Sequence, residues 1–185
     1  MRVSGGKAKG HSLKVPKDGL VRPVTSAVKV ATFSMLETAK SNWFRVLDLY
    51  AGTGALGIEA LSRGAEWADF VDREHRCCTI IKQNLEKTGL AVKAHVYCCS
   101  VTKALSFLES KYDIVFLDPP YANSSVIGNL LTQLANSKLV GYDSLAVVCH
   151  PSRLPLECAF DSLRLFKERR YGDTCVSIYK KGGEN

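Results

Sequence analysis

The chain has 185 residues, is 46% hydrophobic and carries a formal charge of +7. That is one domain of ordinary size with enough apolar residues for a core. No stretch reads as a signal peptide or a membrane span. The excess charge is uneven: residues 1–40 hold eight basic residues against two acids, the rest seventeen against sixteen. A basic arm on a near-neutral body suits a phosphate-rich partner, although a solvated basic surface has the same composition.

In chain order, "RVSGGKAKGHSLKVPKDGLVRP" mixes short apolar pieces with Gly, Lys and Pro, predicting a small hairpin or loop pair outside the core. "VTSAVKVATFSMLETAK" has near-helical spacing, with Thr25 or Ser26 as its cap. Strands and helices then alternate: strand "FRVLDLY", helix "ALGIEALSRGA", strand "WADFVD", helix "REHRCCTIIKQNLEKTGL", strand "VKAHVYCC", helix "VTKALSFLES", strand "YDIVFLD", helix "SSVIGNLLTQLANSKL", strand "SLAVVCH". The tail "DSLRLFKERRYGDTCVSIYKK" reads as two more strands around Gly172-Asp173. The pattern predicts an α/β sheet covered on both faces, with residues 1–40 as a basic appendage and 41–185 as the main domain.

Gly52, Gly54 and Gly57 satisfy G-x-G-x-x-G between the first strand and the first helix of the body. Glycines there allow a tight turn and close approach of a ligand to the backbone. Asp72, ending the second strand, can accept hydrogen bonds from both hydroxyls of a ribose. The glycines alone do not separate a nicotinamide dinucleotide from S-adenosylmethionine. Asp48, four residues before Gly52, does: it repels a pyrophosphate but attracts an ammonium and a sulfonium. A turn-capping role for Asp48 is the bland alternative.

The fourth strand ends in Asp118-Pro119-Pro120-Tyr121, one strand–helix–strand unit beyond the glycine loop's own. Proline cannot continue a sheet and holds its predecessor extended. The result is a stiff loop with a carboxylate at its start and an aromatic ring at its end. The Asp118 carboxylate and the Pro119 carbonyl can accept the two hydrogens of an exocyclic base amine, aiming its lone pair at a methyl carbon. Tyr121 offers a stacking face for the base.

The seven cysteines form no C-x-x-C pair, and the four histidines lack metal-ligand spacing, so no metal is expected. Most of the cysteines read as small buried hydrophobes of a reducing cytoplasm. Arg169-Arg170 reads as a solvated strand end, with phosphate contact as the alternative.

"DLYAGTGALGIEALSRGA" and "IVFLDPPY" resemble the class I, S-adenosylmethionine-dependent methyltransferases of the RsmD family, which modify N2 of a guanine in bacterial 16S ribosomal RNA. The resemblance extends to "RVSGGKAKGHSLKVP", "RPVTSAVKVATF" and "RRYGDTCVSIYKK". It implies a Rossmann-like, seven-stranded, mostly parallel sheet of order 3-2-1-4-5-7-6 with strand seven antiparallel. It also implies S-adenosylmethionine held by Asp48, Ala51, Gly52, Thr53, Gly54 and Asp72, with Arg73, Ser100, Arg22 and Thr25 nearby. Asp118, Pro119, Pro120 and Tyr121 would hold the target amine. Arg2, Lys7, Lys9, His11 and Lys14 of the appendage would grip 16S rRNA, within or outside the small subunit. Val24, Ser26, Ala27 and Val30 depart from the Thr, Asp, Arg and Glu of the family segment. The rival readings are an N6-adenine DNA methyltransferase, a catalytically weak RNA-binding assembly factor and a nicotinamide oxidoreductase.

Overall fold

The structure is a computed structural model that describes residues 1–16, 25–39, 43–120 and 123–182. Its strands are β1 (Arg45–Leu49), β2 (Trp67–Asp72), β3 (Ala94–Cys98), β4 (Tyr112–Leu117), β5 (Val140–Pro151), β6 (Ala159–Phe160), β7 (Leu163–Tyr171) and β8 (Thr174–Lys181). Its α-helices are α1 (Ser26–Ala39), α2 (Ala55–Ser62), α3 (His75–Thr88), α4 (Val101–Phe107) and α5 (Ser124–Ala135). The apolar runs of β1 and β4 are buried on both faces, as central parallel strands require.

All strands join one sheet of order β3-β2-β1-β4-β5-β8-β7-β6. The first five pair in parallel, and β8 runs antiparallel to both β5 and β7. The expected seven-strand order is therefore present, with β7 and β8 as its sixth and seventh members, but the count among the described residues is eight. The extra strand is the two-residue β6, which pairs Ala159 with Arg164 and Phe160 with Leu163. Two residues are too few for any alternation to be read from sequence.

One apolar cluster, including Phe33, Val46, Phe116, Val147, Val176 and Ile178, lies on one face of the sheet. A second, including Leu47, Val115, Leu131, Val148, Leu163 and Tyr179, lies on the other. The amino-terminal hairpin forms as expected, with Arg2 bridged to Ser12 and Val3 N–H donating to the His11 carbonyl. It does not stay outside the core: Val3, Ala8 and Leu13 are buried in the first cluster. Short apolar residues between glycines and lysines carry no periodicity that would reveal this.

The hairpin is fastened by polar contacts to α2. Glu59, fully buried, accepts from the Ser4 backbone N–H and hydroxyl, from Arg63 Nε and from Lys29 Nζ of α1. Lys29 is equally buried and also donates to the Arg2 carbonyl. Burial pushes the Glu59 carboxyl upward, but Lys29, Ser4 and Arg63 outweigh it and hold it below the usual range. The network's contribution is thus complete above pH 4.5 and is lost as the pH falls through the depressed native value. Removing one partner strands a charge in the core, which costs about 3–5 kcal/mol, whereas an apolar pair of similar volume is often neutral. Glu59→Ala is accordingly expected to lose that much stability in urea unfolding, and Lys29→Met with Glu59→Leu to recover most of it.

Candidate active site

The carboxyl ends of β1, β2 and β4 lie side by side in the sheet. Asp48 of β1 pairs in register with Phe70 of β2 and Phe116 of β4. Asp72 is the last residue of β2, and Asp118 follows the last residue of β4, Leu117, which pairs with Leu49 and Val148. Carboxylates from three neighbouring strands therefore share one rim, where open α/β sheets bind ligands.

The glycine loop is pinned to two of these acids. Gly52 N–H donates to Asp72 Oδ2 at 2.8 Å, and Gly57 N–H to Asp48 Oδ2 at 2.9 Å. Asp72 Oδ1 accepts from Glu74 N–H, so one carboxylate shapes two turns. Gly52 and Gly54 sit at φ of 55° and 76°, in the left-handed region that lets the chain double back into α2. Gly57 is required for a different reason: a Cβ there would lie 2.3 Å from Phe70 Cε1 and 3.2 Å from Asp48 Oδ2.

The electrostatics are unbalanced in favour of a cation. Burial pushes the Asp48 carboxyl well above the usual range; the Gly57 N–H opposes this, and the charges of Asp118 and Asp72 reinforce it. Burial also pushes Asp118, at the edge of the rim, up to about 6. The Cys149 thiol, buried on β5, is raised by burial and then by Asp118 and Asp48. Neither Asp48 nor Asp118 has a basic partner among the described residues. A bound ammonium or sulfonium would relieve this cluster, whereas a pyrophosphate would worsen it. The donor set fits S-adenosylmethionine: Asp72 for ribose hydroxyls, Asp48 for the cationic methionine end, and glycine amides for close approach.

The other expected residues fall as follows. Ala51 N–H donates to the Val71 carbonyl, and the Ala51 carbonyl accepts from Gly54 N–H, closing the loop. Thr53 is buried, and its carbonyl accepts from Asn84 Nδ2. Arg73 is exposed and pairs with Glu74. The Ser100 hydroxyl accepts from Lys103 N–H as the cap of α4, beside the end of β3. Thr25 Oγ1 accepts from Val28 N–H, so Thr25 rather than Ser26 caps α1. Pro119 and Pro120 follow Asp118 at the rim. Arg22 and Tyr121 lie outside the described residues.

Arg2, Lys7, Lys9, His11 and Lys14 are all exposed on the hairpin. The structure divides them. Lys7 N–H and Ala8 N–H donate to the carbonyl and hydroxyl of Ser62, at the end of α2 remote from the rim. Lys14 instead exchanges backbone hydrogen bonds with Asn84, which also holds Thr53 of the glycine loop.

Three features escaped the sequence reading. Asn84, mid-helix and fully buried, looks like an ordinary polar helix residue until its partners are known. Tyr50 occupies the left-handed region at φ 60°, a strained choice for an aromatic residue at the turn out of β1. His150, Glu168 and Cys175 come within 4.8 Å of one another by sheet pairing, although no spacing in the chain announces it. The Ser177 hydroxyl lies between two of them, 2.8 Å from His150 Nε2 and 2.6 Å from Glu168 Oε2.

This strand order, glycine loop and rim of strand-end acids define a class I methyltransferase fold. A family model described as conserved hypothetical protein 95 matches residues 1–180. Ribosomal RNA small subunit methyltransferase D of Escherichia coli (strain K12) is 36% identical over 184 residues, covering 98% of this chain and 90% of the relative. YlbH of Bacillus subtilis (strain 168), provisionally named an rRNA methyltransferase, is 38% identical over 186 residues, covering 99% and 100%. The structure of the hypothetical protein TTHA0928 of Thermus thermophilus superposes with a TM-score of 0.83 at 30% identity, covering 97% and 99%. The chain belongs to the conserved hypothetical protein 95 family, the RsmD family of methyltransferases. No helix among the described residues is long and apolar enough to cross a membrane.

The Gly57 contact gives a direct test of the loop. Gly57→Ala must displace the Phe70 ring or the α2 backbone, so it is expected to cost about 1–3 kcal/mol of stability. It is also expected to weaken binding of S-adenosylhomocysteine, measured by calorimetry, because α2 can no longer seat on Asp48.

Proposed function

We propose that this protein transfers a methyl group from S-adenosylmethionine to the exocyclic N2 amine of a guanine in the 16S rRNA of the small ribosomal subunit. The observation that carries the reading is the Asp118-Pro119-Pro120 turn on the same rim as the glycine loop, beside acids without a basic partner among the described residues. Relatives named for small-subunit rRNA methylation support the substrate class.

Each residue then has a task. Asp72 holds the ribose and fixes Gly52, while Asp48 attracts the cationic end of the cofactor and fixes α2. S-adenosylmethionine, when bound, supplies an electrophilic methyl whose carrier leaves as a neutral thioether. A guanine amine is a poor nucleophile because its lone pair is delocalised into the ring. Asp118 and the Pro119 carbonyl accept its two hydrogens, which favours a pyramidal nitrogen, and the prolines keep these acceptors fixed. Tyr121 stacks on the base after it turns out of its surroundings. The amine's surplus proton leaves by way of the Asp118 carboxylate or water once the new N–C bond has formed.

The deciding experiment offers labelled S-adenosylmethionine to wild-type protein with undermethylated small subunits, naked 16S rRNA and duplex DNA, then digests the products to nucleosides. N2-methylguanosine from RNA is expected. N6-methyladenine in DNA would replace the reading with the adenine one, and transfer to none would favour a binding factor. Asp118→Ala is expected to lose transfer by at least 100-fold while still binding S-adenosylhomocysteine. The pH dependence follows from Asp118. The carboxylate is the working form, so kcat/KM for S-adenosylmethionine, which starts from the cofactor-free protein, should rise as pH increases through about 6. A bound cation lowers that value, so the limb in kcat should lie at lower pH.

A further inference from the structure

Strand β7 changes face partway along. Leu163 pairs with Lys181 and Leu165 with Tyr179, but the next pair is Lys167 with Ile178, so Phe166 is one residue too many. Because side chains alternate with period two, a single extra residue sends the rest of the strand to opposite faces. Leu163 and Leu165 go with the Tyr179 side of the core. Lys167, Arg169 and Tyr171 go with the Val176 and Ile178 side, which α1 covers. The acid between them, Glu168, is sent to the other face and accepts from the Ser177 hydroxyl.

The result is a groove of about 660 Å³ between α1 and β7. Its helix wall is made by small or apolar residues such as Val30, Ala31 and Ser34, its strand wall by Lys167, Arg169 and Tyr171, and no acid among the described residues lines it. Lys167 Nζ donates to Thr38 Oγ1 at 3.2 Å, and neither Lys167 nor Arg169 pairs with an acid among the described residues.

Register ties this groove to the candidate active site. Leu117 pairs with Val148, so Asp118 stands level with Cys149; Cys149 pairs with Val176, and Val176 with Arg169. Cys149 and Val176 belong to the same core face as Phe116, two residues before Asp118. Asp118 and Arg169 therefore lie on one cross-strand row and one face. They are three strand spacings apart, about 14 Å.

Resting on the methyltransfer reading above, we propose that the α1–β7 groove holds single-stranded RNA adjoining the target base. Lys167 and Arg169 meet its phosphates, and Tyr171, at the carboxyl end of β7, stacks on a base or ribose as the strand leaves the rim. Cations without counter-acids suit a polyanion, the small side chains of α1 let a backbone approach, and an aromatic face suits a base. The basic end of β7 is thus more than a solvated strand end.

The test compares wild type with the Lys167→Ala/Arg169→Ala double variant, whose substituted side chains line an open groove. Binding of a fluorescent 16S rRNA fragment is measured across a potassium chloride series, with S-adenosylhomocysteine binding and methyl transfer measured in parallel. The double variant should bind RNA at least tenfold more weakly. Its slope of log K against log salt should shrink by about 1.4, for two lost single-strand phosphate contacts, with cofactor affinity unchanged. Tyr171→Ala should also weaken RNA binding, and Tyr171→Phe should restore it. Unchanged RNA affinity and slope in the double variant, with a wild type that methylates RNA, would overturn the groove alone. A wild type that methylates no RNA would overturn the functional reading and the groove with it.

Discussion

The structure turns on placing three carboxylates at the ends of adjacent strands and allowing backbone amides to satisfy only part of them. Asp48 and Asp72 each take an N–H of the glycine loop, so the turn from β1 into α2 is built upon acids. Asp118 stands on the neighbouring strand with its carboxyl pushed up to about 6 by burial. A raised carboxyl binds its proton more tightly in the folded state, so this group's contribution to stability falls as pH rises from 3.8 through that value. The fold carries that cost at neutral pH, and a positively charged ligand at the rim would lower it. On the proposed function, cofactor attraction and amine holding would be two uses of one electrostatic arrangement.

Two sets of contacts outside the sheet brace the elements that carry that rim. The Lys29–Glu59 network joins α1, the hairpin and α2 through buried and half-buried hydrogen bonds. Asn84 joins the segment at Lys14 to the carbonyl of Thr53. The first residues of the chain are thus connected to the glycine loop at two levels, one at each end of α2. Such buried polar contacts add little net stability beside an apolar core but punish any partner's removal, so they fix arrangement more than they add strength.

Much of the architecture was legible in the chain. The runs Ile114–Leu117 and Val46–Leu49 are central strands because nothing polar but Asp48 interrupts them, and the glycines of the loop have the φ values or the crowding that require glycine. The illegible parts share a physical cause: they depend on contacts between distant residues. Val3, Ala8 and Leu13 become core only because Ser62 and Glu59 hold the hairpin down. β6 is too short to show alternation, and the bulge at Phe166 leaves no mark in composition although it decides which way Lys167, Arg169 and Tyr171 face. Tyr50 is a good strand residue whose left-handed φ is imposed by the turn it begins. For the candidate site, the acids and glycines could be singled out in the chain, whereas Asn84 and the His150–Ser177–Glu168 chain could be found only once the strands were paired.

The central claim is that the rim holds acids with no basic partner among the described residues, matched to a cation. Titration of Asp118 by carboxyl carbon NMR, in the free protein and with S-adenosylmethionine, tests it most directly. The account predicts a midpoint near 6 in the free protein that moves down when the sulfonium binds, and moves less with neutral-sulfur S-adenosylhomocysteine. An ordinary carboxylate midpoint near 3.8 in the free protein, or one indifferent to the cofactor's charge, would contradict it.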